Sequence, residues 1–198
     1  MLDRVRDIPG HHLGASAYLD DFWPYFGRVG DQVLWKLERI QHFQEPDVPS
    51  WAAMAEGDWD RALALVEELR PAIMAAPGPE SRRLRIVDRP VTPYLQWEMQ
   101  ILKIRVEAGE KIRVLPVDSV IHLETTVELP EVVILGSLTM YEVLYDDTGI
   151  LSGARRIDDQ SVLDACRAQL AELYDKGEAL LSYFDREIAT LPPPTVTT

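Results

Sequence analysis

One short stretch, Ala75-Ala76-Pro77-Gly78-Pro79-Glu80, constrains the fold most, because neither a helix nor a strand runs easily through it. The hydrophobic period changes across it. Before it, Asp58 caps a helix over Trp59–Met74 with Ala62, Leu63, Val66, Leu69 and Ile73 on one face, and Pro71 should kink or end it. A shorter helix precedes that one, capped by Ser50 and stopped by Gly57. Beyond the stretch, Leu84–Asp88 reads as a strand with its arginines outward. Thr92 or Pro93 opens a helix to Ala108, with Tyr94, Trp97, Ile101 and Ile104 on one face and Gly109 at its end.

Three further strands are expected: Lys111–Val117, Glu131–Gly136 and Thr139–Tyr145, the last two joined at Gly136-Ser137. Ile121–Leu129 reads as a short strand or a loop. After the Asp146-Asp147-Thr148-Gly149 turn, Ile150–Ile157 adds a strand. Asp158 or Ser161 then caps a helix to about Thr190, buried through Val162, Leu163, Cys166, Leu170, Leu173, Tyr174 and Leu181. Near the start, Tyr18–Phe26 is aromatic and acidic, and Pro24 argues for a short helix or turn there. Val33–Phe43 fits a helical stripe or a strand. This order implies an α+β fold: one mixed, largely antiparallel sheet with helices packed on it and an N-terminal helical segment.

A chain of 198 residues suits a single domain. Its parts would be residues 1–76, aromatic and helical; 77–190, sheet and helix; and 191–198, a Pro/Thr-rich extended tail. The tail also reads as a proline-motif ligand. The N-terminus, with Asp3, Arg4, Arg6 and Asp7 and no apolar core, is not a secretory signal. No apolar run approaches the roughly 18 residues of a membrane span. A cytoplasmic protein with no membrane partner is expected.

Charge is strongly segregated. Twenty Lys and Arg stand against 33 Asp and Glu, for a net charge of −13, which disfavours direct nucleic-acid binding. Arg82–Arg113 is nonetheless +4, whereas Val114–Ala154 has no Lys or Arg and seven acids. Such a split either pairs two faces internally or docks a basic partner.

The chain lacks a phosphate-binding loop, a dinucleotide fingerprint and a nucleophile elbow. Its one cysteine, Cys166, lies in an apolar stripe and reads as a core thiol. His11-His12 lacks the spacing that puts two imidazoles on one helix face, and no metal or cofactor site is expected. His42 and Glu38, four residues apart, could form an acid–base pair on a helix; a packed or surface histidine is the plainer reading. The most suggestive cluster is Arg85, Asp88, Arg89, Tyr94 and Glu98, where a strand end meets a helix start. Arg85 or Arg89 would hold an anion, and Tyr94 and Glu98 would move protons. The competing reading is a buried Arg–Glu pair that fixes the strand against the helix.

The stretch Arg85-Ile86-Val87-Asp88-Arg89-Pro90-Val91-Thr92-Pro93-Tyr94-Leu95-Gln96-Trp97-Glu98, followed by Ala108-Gly109-Glu110 and a strand ending in Leu115-Pro116, resembles an actinobacterial family of unknown function, domain of unknown function six-eight-seven-nine. The likeness runs from about Trp35 to Ile188. It implies a strand at Leu37-Glu38, which decides Val33–Phe43 in favour of a strand. Two positions depart from the family pattern: Ile40-Gln41, where an Arg-Asp pair is usual, and Gln96, where an arginine is usual. The resemblance brings no activity. It implies company with helix-turn-helix regulators.

Two functional readings follow. The first is a non-catalytic regulatory, partner-binding or ligand-sensing protein. Its partner would be a protein, a helix-turn-helix regulator by the resemblance, and its ligand a small anion held by Arg85, Arg89, Glu38 and His42. The second is a metal-free small-molecule enzyme with Tyr94 and Glu98 as its catalytic groups.

Overall fold

Eight strands build one sheet in the computed structural model, which describes residues 1–76, 78–124 and 126–195. Pro77 of the predicted linker and residues 196–198 of the predicted tail lie outside the described residues. The strands are β1 (His11–Gly14), β2 (Leu34–Glu38), β3 (Ser81–Val87), β4 (Lys111–Pro116), β5 (Glu131–Leu135), β6 (Thr139–Tyr145), β7 (Leu151–Ile157) and β8 (Glu178–Ala179). They lie in the order β1-β7-β6-β5-β2-β3-β4-β8. Only β2–β3 and β3–β4 pair parallel; every other neighbour is antiparallel. The α+β class, with a mixed and largely antiparallel sheet, is therefore observed.

The helices are α1 (Ala15–Phe26), α2 (Pro49–Ala55), α3 (Trp59–Ala75), α4 (Pro93–Glu107), α5 (Gln160–Lys176) and α6 (Leu180–Tyr183), which runs into a π-turn over Phe184–Ile188. None of the described helices is long and apolar enough to cross a membrane. On one face of the sheet, Trp35, Leu37, Leu84, Ile86, Val132, Ile134 and Met140 meet Leu163, Cys166, Leu170 and Leu173 of α5. The N-terminal 3-10 turn, Leu2–Asp7, packs on the same face. Arg155 ties it down, donating to Val5 O at 2.6 Å and to Ile8 O while gripping Glu142 at 2.7 Å.

The other face carries α1 at one end, α4 and α6 at the other, and α2 and α3 packed outside α4. Here the arginines of β3 differ from expectation. Arg83 and Arg85 alternate with Leu84 and Ile86 as a strand requires, yet they are 8% and 0% exposed, because α4 covers the face that alternation alone assigns to solvent.

Several local signals hold. Asp58 caps α3 and Thr92 caps α4, accepting from the N–H groups of Arg61 and Leu95. Gly136, at φ 57°, turns β5 into β6. Other expectations are corrected. The aromatic arm is a full 12-residue helix, which carries Pro24 in its last turn without ending there. Pro71 lies inside α3 without ending it. Ser50 lies inside α2 and is buried; Val48 is the N-cap and Pro49 occupies the first turn. Asp159 caps α5, accepting from Ser161 and Val162. The last helix does not reach Thr190. It breaks at Gly177, where a Cβ would lie 3.0 Å from Arg113 Cβ and 3.2 Å from Val114 O, and the chain pairs briefly with β4. Leu181, expected in the core, is consequently 40% exposed.

Candidate functional site

Charged side chains converge on the covered face where β2, β3 and β5 run side by side. Register places Lys36 opposite Arg83 and Glu38 opposite Arg85. Glu38 Oε1 accepts from Lys36 Nζ at 2.6 Å and from Arg83 Nη1 at 2.7 Å. Arg83 Nε reaches Glu110 Oε1 at 2.9 Å, and Arg85 Nε reaches Glu98 Oε2 at 2.8 Å. Tyr94, one turn before Glu98 on α4, donates its hydroxyl to Glu45 at 2.7 Å and lies 3.4 Å from Glu98 Oε1. His42 sets its ring edge against Tyr94, with centroids 5.7 Å apart. Five sequence-predicted residues, Glu38, His42, Arg85, Tyr94 and Glu98, thus form one cluster.

Arg89 is not part of it. Its side chain is 66% exposed and pairs with Glu187 at 2.7 Å, because the β3–α4 connection turns it away from Glu98. Asp88 stays at the strand exit, where its N–H donates to Gln41 Oε1 at 2.7 Å. Gln41 also takes the Thr92 hydroxyl on its carbonyl, so it couples the exits of β2 and β3 to the start of α4.

Burial decides the chemistry of the cluster. It raises the Glu98 carboxyl and the Tyr94 hydroxyl above their ordinary ranges; Arg85 opposes the effect at Glu98, while the Glu98 and Glu45 charges add to it at Tyr94. At Glu38 burial also pushes upward, but Arg83, Lys36 and Arg85 outweigh it and hold the carboxyl below its usual range. Tyr94 and Glu98 are 2% and 6% exposed. Two buried atoms here, Glu38 Oε2 and Arg85 Nη2, have no hydrogen-bond partner among the described residues.

Beside this network opens a cleft of about 910 Å3 between α1 and the C-terminal ends of α3 and α4. One wall is aromatic: Tyr18, Phe22, Trp23 and Phe26 of α1. Asp21 fastens that helix to the sheet, pairing with Arg156 at 2.8 Å and accepting from Tyr141 at 2.8 Å. The floor and the opposite wall carry Lys36, Arg83, Arg105, Lys111, Glu110 and Glu131. Neither Tyr94 nor Glu98 lines it.

Glu131 and the aromatic wall are what sequence reasoning missed as site elements. Glu131 opens β5, lines this cleft and also lines a smaller one of about 400 Å3 shared with His42 and Tyr145. Its Oε1 accepts from the backbone N–H groups of Arg39 and Ile40 at 2.5 and 2.6 Å. Burial pushes its carboxyl up to about 7, with Arg85 pulling down and Glu38 pushing further up. The only local hint is an acid opening an otherwise wholly apolar strand, Glu131-Val132-Val133-Ile134-Leu135.

Among the described residues no group of three or more His, Cys, Asp or Glu side chains is placed to hold a metal ion. Cys166 is buried against α5's neighbours, and burial raises its thiol to about 11.

A family model for a domain of unknown function, DUF6879, matches residues 20–185. The chain belongs to the DUF6879 family. No curated protein and no solved structure matches it. The matched span takes in α1 from Asp20, the whole charge network and all of α4, and it ends inside the π-turn at Asp185.

Proposed function

We propose that this DUF6879 protein is a non-catalytic ligand-sensing module whose cleft takes a small molecule with a planar apolar body and an anionic group. The observation that carries this reading is the pairing of an aromatic wall on α1 with a cationic floor, Lys36, Arg83, Arg105 and Lys111, in one open cavity. Arg105 is the least committed of these cations, 3.8 Å from Glu110, its nearest ion-pair partner. A bound anion would pair with it. Tyr94 and Glu98 are sealed and paired with protein groups, so they support the floor rather than touch a bound molecule. Occupancy would be passed on through α1, which forms the wall and leaves Leu19, outside the cleft lining, exposed, to a protein partner such as a helix-turn-helix regulator.

The probe is 8-anilinonaphthalene-1-sulfonate, an aromatic anion, titrated by fluorescence. Saturable one-site binding should weaken about ten-fold in Phe22→Ala and in Arg105→Gln, equivalent to losing one aromatic or one ionic contact of about 1.4 kcal/mol. Binding that ignores both substitutions sinks the assignment.

A second reading, a metal-free enzyme, draws support from Glu131 rather than from Glu98. Glu131 lines the cleft, and its carboxyl, near 7, suits proton transfer at neutral pH.

A further inference from the structure

Where β3 hands over to α4, the surface carries a third concavity, about 420 Å3, separate from the two described above. One side consists of Arg89, Pro90, Val91, Pro93, Gln96 and Glu187; the other is the chain's own Leu191–Thr195 segment. Gln96 is 5% exposed, and its Nε2 donates to Pro192 O at 2.8 Å. The ion pair between Arg89 and Glu187 marks one edge.

The chemistry is selective. Consecutive prolines have no N–H and a fixed φ near −65°, so such a segment arrives extended and offers only carbonyl acceptors and ring faces. A buried carboxamide donor set among pyrrolidine and isopropyl surfaces supplies one fixed hydrogen bond for a carbonyl and an apolar shelf for the rings. Gln96 Nε2 gives up its carbonyl acceptor whenever the segment lifts away, and a second proline-rich carbonyl restores it.

We propose that this corner is a docking groove for an extended proline-rich peptide of a partner protein, with the Leu191–Thr195 segment as its resident competitor in cis. The occupant is argued from what is seated there: a Leu-Pro-Pro-Pro run whose carbonyl takes the one buried donor. A tethered segment acts at an effective concentration of order 1 mM, so a groove with an intrinsic Kd of about 0.1 mM is mostly filled in cis, and capture of a peptide in trans is weakened about ten-fold. The inference is independent of the cleft and stands or falls apart from it.

The probe is a fluorescein-labelled peptide of sequence Thr190–Thr198, read by fluorescence anisotropy against the full chain and against a variant lacking residues 191–198. The shortened variant should bind about ten-fold more tightly than the full chain. Gln96→Ala in the shortened background should weaken capture at least five-fold, about 1 kcal/mol for a lost hydrogen bond. Equal binding by both chains, no saturable binding by a shortened chain with an unshifted melting temperature, or indifference to Gln96→Ala overturns the proposal. Should the shortened chain fail to fold, the full chain with Pro192→Gly, Pro193→Gly and Pro194→Gly takes its place. Loosening the segment must then raise capture of the peptide, and no gain overturns the proposal equally.

Discussion

Glu131 has no cationic side chain within ion-pair reach among the described residues, yet it is 4% exposed. Its oxygen takes two backbone N–H groups, and Glu38 repels its charge. Its carboxyl stands near 7 in the folded chain against an ordinary 4.5, so folding favours the protonated form. The sign follows: this contribution is complete below about pH 4.5 and is lost as pH rises through 7. Glu131→Gln keeps an acceptor for both N–H groups and cannot ionise. The variant should match the wild type in acid and gain on the order of 3 kcal/mol over it by neutral pH. Urea unfolding at a series of pH values reads the difference, and parallel curves would remove the assignment. The residues Arg85, Tyr94 and Glu98 were legible because their neighbourhood is local, a strand and the helix that follows. Glu131 was not, because its burial comes from β2, more than ninety residues earlier in the chain. The arginines of β3 misled for a related reason: a charge at every second strand position reads as a wet face, and the partners that make it dry, Glu38 and Glu98, come from other elements.

Elements with their signals inside themselves are the ones that sequence reasoning places well. The caps at Asp58 and Thr92 and the turn at Gly136 each need only neighbours within a few residues. The break of α5 and the edge strand β1 depend instead on close approach between distant backbones. Gly153 shows the mechanism most plainly. It sits at φ 148°, and a Cβ there would lie 2.0 Å from Leu13 O, inside the β1–β7 pairing. Gly153→Ala must therefore push β1 off the sheet. The expected cost is roughly 1–3 kcal/mol from backbone strain, together with faster hydrogen exchange along β1. The α1 helix, tied to the same sheet end through Asp21 and Arg156, should exchange faster too. Unchanged protection of residues 11–14 would show that β1 owes its place to something other than this approach.

At the scale of the whole molecule, the segregated charge proves largely internal. Of the seven acids between Val114 and Ala154, Glu124 and Glu128 pair with Arg39, Glu142 pairs with Arg155 and Glu131 is buried. Three of the seven are thus counter-charge for arginines elsewhere in the chain, and a fourth is sealed inside, which is why the cleft carries the functional proposal. The same interleaving bears on folding. β2 comes from before the Pro/Gly stretch, and it lies between β3 and β5, both from after it; β1 joins β7 in the same way. Cutting the chain at that stretch would leave unpaired edges at β3, β5 and β7 in the larger piece and both β1 and β2 without their partners in the smaller, neither piece able to satisfy its backbone groups. We therefore expect one cooperative transition. Labelling the tryptophans with 19F gives a resonance for Trp23, Trp35, Trp51 and Trp59 on the first part and for Trp97 on the second. All should lose native intensity at the same urea concentration. An earlier loss at Trp51 and Trp59 than at Trp97 would mark α2 and α3 as a separate unit. That outcome is disfavoured because those helices close over Tyr94, Trp97 and Ile104 of α4 and share one core with them.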